Sequence, residues 1–124
     1  MNIVSTEKAP AAIGPYSQAV CHNDLVFTSG QIPLDPVTGE LDGATIETQS
    51  HRALKNLIAV LEASDSDAKH IIKTTCFITD MTNFAAFNEI YSKYIPDCPA
   101  RSCVAVCELP KSVLVEVEAV ACKI

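Results

Sequence analysis

The stretch from about Thr45 to Ala63 constrains the fold most. Ile46, Ala53, Leu54, Leu57, Ile58 and Leu61 recur there at three- and four-residue spacing, the period that gathers side chains on one face of an α-helix. Glu47, Ser50, Arg52, Lys55, Asn56 and Glu62 fall mostly on the other face. A second helix is expected after Thr82 or Asn83, either of which is suited to cap it, with Phe84, Phe87, Ile90, Tyr91 and Tyr94 as its apolar positions. Pro96 and Pro99 stop it.

The remaining apolar runs read as strands. They are Met1 to Ser5, Tyr16 to His22, Leu25 to Ser29, His70 to Thr79, Ala100 to Leu109 and Val113 to Lys123, of which His70 to Thr79 is rich in β-branched residues. Asn23-Asp24 separates the second from the third as a hairpin turn. Ala9 to Pro15 and Gly30 to Gly43 are loops, broken by proline and glycine. The order β-β-β-α-β-α-β-β is α+β, with two helices on one face of a mixed or antiparallel sheet. Strands apolar on both sides leave the other face needing cover, and an oligomer is expected to supply it.

At 124 residues the chain is one domain, residues 1–124, and its 48% hydrophobic content excludes disorder. Fifteen acids against nine bases give a net charge of −6, and there is no Trp. That balance disfavours a nucleic-acid surface. No basic-then-apolar leader and no membrane-length apolar run is visible, so a cytoplasmic location is expected. Cysteines at 21, 76, 98, 103, 107 and 122 and histidines at 22, 51 and 70 show no metal-ligand spacing, and no metal site is expected. Cys76, Cys107 and Cys122 read as small apolar residues of buried strands.

Two arginines stand out by their scarcity. Arg52 belongs to the polar face of the first helix and reads as solvated surface. Arg101 opens an apolar strand and shares a face with Cys103, Ala105 and Cys107. A guanidinium there is either in a structural ion pair or awaiting an anion, because burying it unpaired is very costly. Its fork suits a planar carboxylate. In the last strand, Glu116 and Glu118 share a face with Leu114, Val120 and Cys122, while Val113, Val115 and Val117 point the other way. Two acids on one face of such a strand mark either an exposed face or a polar site at a subunit boundary. A carboxylate there could orient or deprotonate a water.

The whole chain resembles the RidA/YjgF/UK114 family of reactive-intermediate deaminases, also described as translation inhibitors or endoribonucleases. The resemblance rests on five ordered motifs. They are Ala9-Pro10-Ala11-Ala12-Ile13-Gly14-Pro15-Tyr16-Ser17-Gln18-Ala19, Thr28-Ser29-Gly30-Gln31-Ile32-Pro33, Phe84-x-x-x-Asn88-x-x-Tyr91, Pro99-Ala100-Arg101-Ser102-Cys103-Val104 and Val115-Glu116-Val117-Glu118-Ala119. It implies a chorismate-mutase-like α+β fold and a homotrimer with three ligand clefts between subunits. It also implies that another strand lies between the last two. The short Pro110-Lys111-Ser112 connection alone suggests a hairpin, but three or four extended residues can span two strand spacings, about 9.6 Å.

The activity implied is hydrolysis of 2-imino acids, or their enamine tautomers, to 2-keto acids and ammonia. By resemblance, Arg101 holds the substrate carboxylate and Glu116 activates water. Tyr16, Ser29 and Gly30 line the cleft, and Cys103 contributes its backbone N–H. Phe84 walls the cleft, while Asn88 either lines it or bonds structurally at the interface. No metal or organic cofactor is called for, since an iminium carbon is already electrophilic. Val117 and Cys107 depart from the usual family residues without removing a group the chemistry needs. Two other functions fit such a chain: an endoribonuclease or translation inhibitor, and a non-enzymatic keto-acid-binding or chaperone-like module.

Overall fold

In the computed structural model, which describes residues 1–124, six strands form one sheet in the order β1-β2-β3-β6-β4-β5. They are β1 (Asn2–Val4), β2 (Ala19–His22), β3 (Leu25–Thr28), β4 (Ile71–Ile78), β5 (Ala100–Ala105) and β6 (Val115–Cys122). The helices are α1 (Ile46–Ala63) and α2 (Phe84–Tyr94). All neighbouring strands are antiparallel except β4 and β5, which are parallel. The strand lying between β5 and β6 is thus β4, as the resemblance implies and as a hairpin reading of Pro110-Lys111-Ser112 would not.

The β2–β3 turn falls at Asn23-Asp24, with Asn23 in the left-handed region at φ 53°, a conformation asparagine tolerates better than most residues. Strand ends are shorter than the apolar runs that announce them. β5 stops at Ala105, not Leu109, because Ala105 pairs with Ile78 at the end of β4 and no partner continues. Cys107 is therefore exposed rather than buried in a strand, and Cys122 is half-buried, while Cys76 is buried as expected. β2 starts at Ala19 rather than Tyr16. Buried Gln18 instead ties down the preceding loop, donating to the carbonyls of Thr6, Ala9 and Pro10 and accepting from the Thr6 N–H at 2.6 Å.

Both helices cover one face of the sheet. Val26, Cys76, Ile78, Val115, Val117, Ala119 and Ala121 face them and are buried. Ala53, Leu54, Leu57 and Leu61 of α1 and Phe87 of α2 fill the layer between. The polar side of α1 is not simply a solvated face. Ser50 and Asn56 are fully buried, and Asn56 meets carbonyls of the Gly30–Gly43 loop that need donors. Asn56 Nδ2 donates to the carbonyls of Ile32 and Leu34, both at 3.0 Å. Gln49 bridges Gly43 and Leu114 in the same way. Thr45 caps α1, its hydroxyl accepting from the Thr48 N–H at 3.2 Å.

α2 departs from its expected cap. Neither Thr82 nor Asn83 caps it by a side chain; Asp80 accepts from the Thr82 N–H at 2.9 Å and heads a 3₁₀ turn, Met81–Asn83, that runs into the helix. The cap has moved one turn upstream, where the chain leaves β4.

The second sheet face carries no helix. Ile3, Leu25, Phe27, Ile72 and Val104 are exposed on it. β6 alternates strictly, with Val115, Val117, Ala119 and Ala121 buried and Glu116, Glu118, Val120 and Cys122 partly exposed. No helix is long and apolar enough to cross a membrane.

Replacing Asn56 by Ala leaves two buried carbonyls without their donor, which should lower stability by about 2–4 kcal/mol. Urea unfolding at fixed protein concentration measures this. A loss below about 0.5 kcal/mol would mean the loop does not depend on that side chain.

Candidate functional site

Arg101 is the second residue of β5 and pairs across the ladder with Thr74 of β4. Its side chain points to the helix-covered side, at the sheet edge, under α2. Phe84, Asn88 and Tyr91 sit four and three residues apart on α2, so they share the face turned to it. Asn88 Oδ1 accepts from Arg101 Nη1 at 2.8 Å. The guanidinium carbon lies 4.8 Å from the Tyr91 ring centroid and 5.6 Å from that of Phe84. No carboxylate pairs with Arg101, since the two ion pairs of the chain are Arg52–Asp42 and His70–Asp67.

Within the chain Arg101 has no ion-pair partner. A half-buried cation is held by two rings and one neutral amide, with N–H donors left over, beside a cleft of about 320 Å³ that also touches Cys98 and Pro99. Such an arrangement retains the charge without neutralising it, which suits an incoming anion. Cys103, two residues on, shares the face; burial pushes its thiol up, and Arg101 partly offsets this. Arg52 is not simply solvated, being paired with Asp42 at 2.8 Å.

Glu116 sits elsewhere. It pairs with Phe77, whereas Arg101 pairs with Thr74 and Thr74 with Ala119. Glu116 therefore lies on the open face and Arg101 on the helix side. Gln31 fixes what Glu116 touches. Its backbone exchanges hydrogen bonds with Val117, 2.7 and 3.1 Å long, and this presses Gly30 against the Glu116 carboxylate. A Cβ on Gly30 would come within 2.6 Å of Glu116 Cδ, so a larger residue there would displace the Glu116 side chain. Burial, and then the like charge of Glu118, raise the Glu116 carboxyl above its ordinary range.

Ser29, the residue before Gly30, is locked in place. Its N–H donates to the Gln18 carbonyl at 2.9 Å and its hydroxyl to the Ser17 carbonyl at 2.6 Å. That ties the strip to Tyr16, which is 47% exposed and whose hydroxyl accepts from the Ile13 N–H at 3.3 Å. Tyr16 also borders a cleft of about 620 Å³ between the N-terminal segment and Val37, which neither Arg101 nor Glu116 reaches.

The expected site residues thus form two separate groups within one chain. One is Arg101 with Phe84, Asn88 and Cys103. The other is Glu116 with Ser29, Gly30 and, through Ser17, Tyr16. Residues that organise these groups were not singled out from the sequence as site residues: Gln31, Thr74 and Tyr91. The spacing of Phe84, Asn88 and Tyr91 carries a signal for the last, since one helix face with an amide between two rings is an unusual lining for plain core.

Comparison with known proteins bears on the same residues. A sequence profile described as Endoribonuclease L-PSP matches residues 6–123. A RutC family protein of Haemophilus influenzae is 50% identical over 124 residues, covering 96% of this chain and 95% of that protein. Reactive Intermediate Deaminase A, chloroplastic, of Arabidopsis thaliana is 47% identical over 120 residues, covering 96% of this chain and 64% of the relative. The crystal structure of E. coli TdcF with bound serine superposes with a TM-score of 0.95 at 44% identity, covering 100% of both chains. The chain belongs to the RidA/YjgF family, the endoribonuclease L-PSP family, which includes a reactive-intermediate deaminase.

Proposed function

We propose that this protein hydrolyses 2-imino acids, such as 2-iminopropionate and 2-iminobutyrate, to 2-keto acids and ammonia. The observation that carries the reading is the guanidinium of Arg101, cradled by Phe84, Asn88 and Tyr91 with no acidic partner. A relative of the same fold is described with bound serine, a ligand that also presents a carboxylate.

Arg101 grips the substrate carboxylate in a bidentate fork. Glu116, its carboxylate partly desolvated, takes a proton from water as the oxygen adds to the C=N carbon. Returning that proton to nitrogen lets the carbinolamine expel ammonia as its hydroxyl proton passes back to Glu116, leaving the keto acid. The iminium carbon needs no further activation, so we assign no cofactor. Because Arg101 and Glu116 lie on opposite faces of one sheet, we assign the working site to a boundary between copies. Arg101, Phe84, Asn88 and Cys103 come from one copy; Glu116, Ser29, Gly30 and Tyr16 come from the next. A homotrimer would close three such sites and cover the open sheet face.

The family description raises ribonuclease activity as a second reading. A net charge of −6 opposes it, because phosphate binding draws on a basic surface.

Ammonia release from 2-iminobutyrate, generated in situ by an amino-acid oxidase, tests the proposal. Wild-type protein should accelerate it and Arg101→Ala should abolish the acceleration while remaining folded. An intact rate for that variant contradicts the role of Arg101. Glu116→Gln should keep 2-oxobutyrate binding yet slow kcat by about 100-fold or more; an unchanged kcat would contradict the role of Glu116, and wild-type protein that binds 2-oxobutyrate without accelerating hydrolysis would point to a binding module instead.

Gly30→Ala should lower kcat/KM by on the order of 100-fold, since it displaces the carboxylate without touching the core. Wild-type kinetics from a folded Gly30→Ala protein would contradict the close approach.

Glu116 acts as a base only when ionised, so activity falls as pH drops through its raised pKa. The acid limb of kcat/KM therefore lies above the ordinary carboxylate range, and Glu118→Gln, removing a like charge, moves it to lower pH. A limb that does not move in that variant contradicts the coupling.

A further inference from the structure

A closed circuit of contacts surrounds Arg101. Thr74 is its partner across the β4–β5 ladder. The Thr74 and Tyr91 hydroxyls lie 2.7 Å apart, buried, in a hydrogen bond. The Tyr91 ring, so anchored, lies 4.8 Å from the guanidinium carbon, closer than the 5.6 Å of Phe84. Asn88, three residues before Tyr91 on the same helix face, takes one Nη1 proton. Strand register, hydroxyl pair, ring and guanidinium thus return to the residue where they began.

A phenylalanine at position 91 would fill the same volume. What the tyrosine adds is a hydroxyl whose partner is the strand neighbour of Arg101, and that bond removes the ring's freedom to tilt away from the cation. Burial holds the Tyr91 phenol above its ordinary range, so at neutral pH it is a neutral anchor and not a proton carrier.

We infer that Tyr91 and Thr74 are positioning residues that hold the Arg101 guanidinium in the orientation that receives a substrate carboxylate. This rests on the reading of Arg101 as the carboxylate clamp. The pair acts on binding: Tyr91 shapes the cation that meets the ground-state carboxylate, while the water-activating carboxylate belongs to the other residue group. Loss of the ring should raise KM and leave kcat nearly unchanged.

The test uses 2-oxobutyrate binding by calorimetry and imine hydrolysis kinetics, on full-length protein. Tyr91→Leu should weaken 2-oxobutyrate by about tenfold and raise KM to match. Tyr91→Phe and Thr74→Val each keep the ring and should cost about two- to fivefold, with the double variant no worse than either single one. Should Tyr91→Leu fail to fold, the Tyr91→Phe and Thr74→Val cycle decides alone. Additive losses there, or affinity within about twofold of wild type in every folded variant while Arg101→Ala loses binding, overturn the inference. Undiminished 2-oxobutyrate binding by Arg101→Ala instead overturns the reading of Arg101, and this inference with it.

Discussion

The placement of β4 between β5 and β6 decides how the chemistry is distributed. Its ladder with β5 sets Thr74 beside Arg101, and its ladder with β6 sets Phe77 beside Glu116. Thr74 and Phe77 are three residues apart, an odd separation, and side chains alternate along a strand. One register therefore sends the cation to the helix side and the carboxylate to the open side. A slip of one residue in the β4–β6 ladder would turn Glu116 to the helix side and drive the β6 valines out of the core, and one in the β4–β5 ladder would turn Arg101 to the open side. The hydrophobic layer that stabilises the fold is thus what fixes the two polar groups.

Each group then depends on a local device. Arg101 is left without an ion-pair partner in its own chain because α2 offers it rings and an amide instead of an acid. Glu116 keeps its raised pKa because Gly30 lets a loop close over it without a side chain in the way. Both devices shape what an incoming molecule meets, which is where a function for this surface is best sought.

Much of this was legible in the sequence. The periodicity of α1 and the alternation of β6 reflect a single buried face, and both appear as read. Polarity misplaced Asn56, because a buried donor serving loop carbonyls looks like a solvated residue until the loop is seen over it; Ser50 is buried as well. The strand after Arg101 looked longer than it is, because apolar character persists past Ala105 where the partner strand has ended. Position of β4 between its successors was outside the reach of residue patterns and came from family resemblance, since strand order is a long-range property. The separation of Arg101 from Glu116 was equally hidden. Each was given a face of its own strand, but relating the two faces requires the ladder between them.

The proposed working site takes Arg101 from one copy and Glu116 from another. Mixing tests it directly: Arg101→Ala and Glu116→Gln proteins, each inactive, are unfolded together, refolded and assayed for imine hydrolysis. At equal input, random assembly unites an intact Arg101 with an intact Glu116 at about a quarter of the boundaries, so about a quarter of wild-type activity should return. Mixed assemblies that form, as native mass spectrometry would show, yet remain inactive would contradict a site shared between copies.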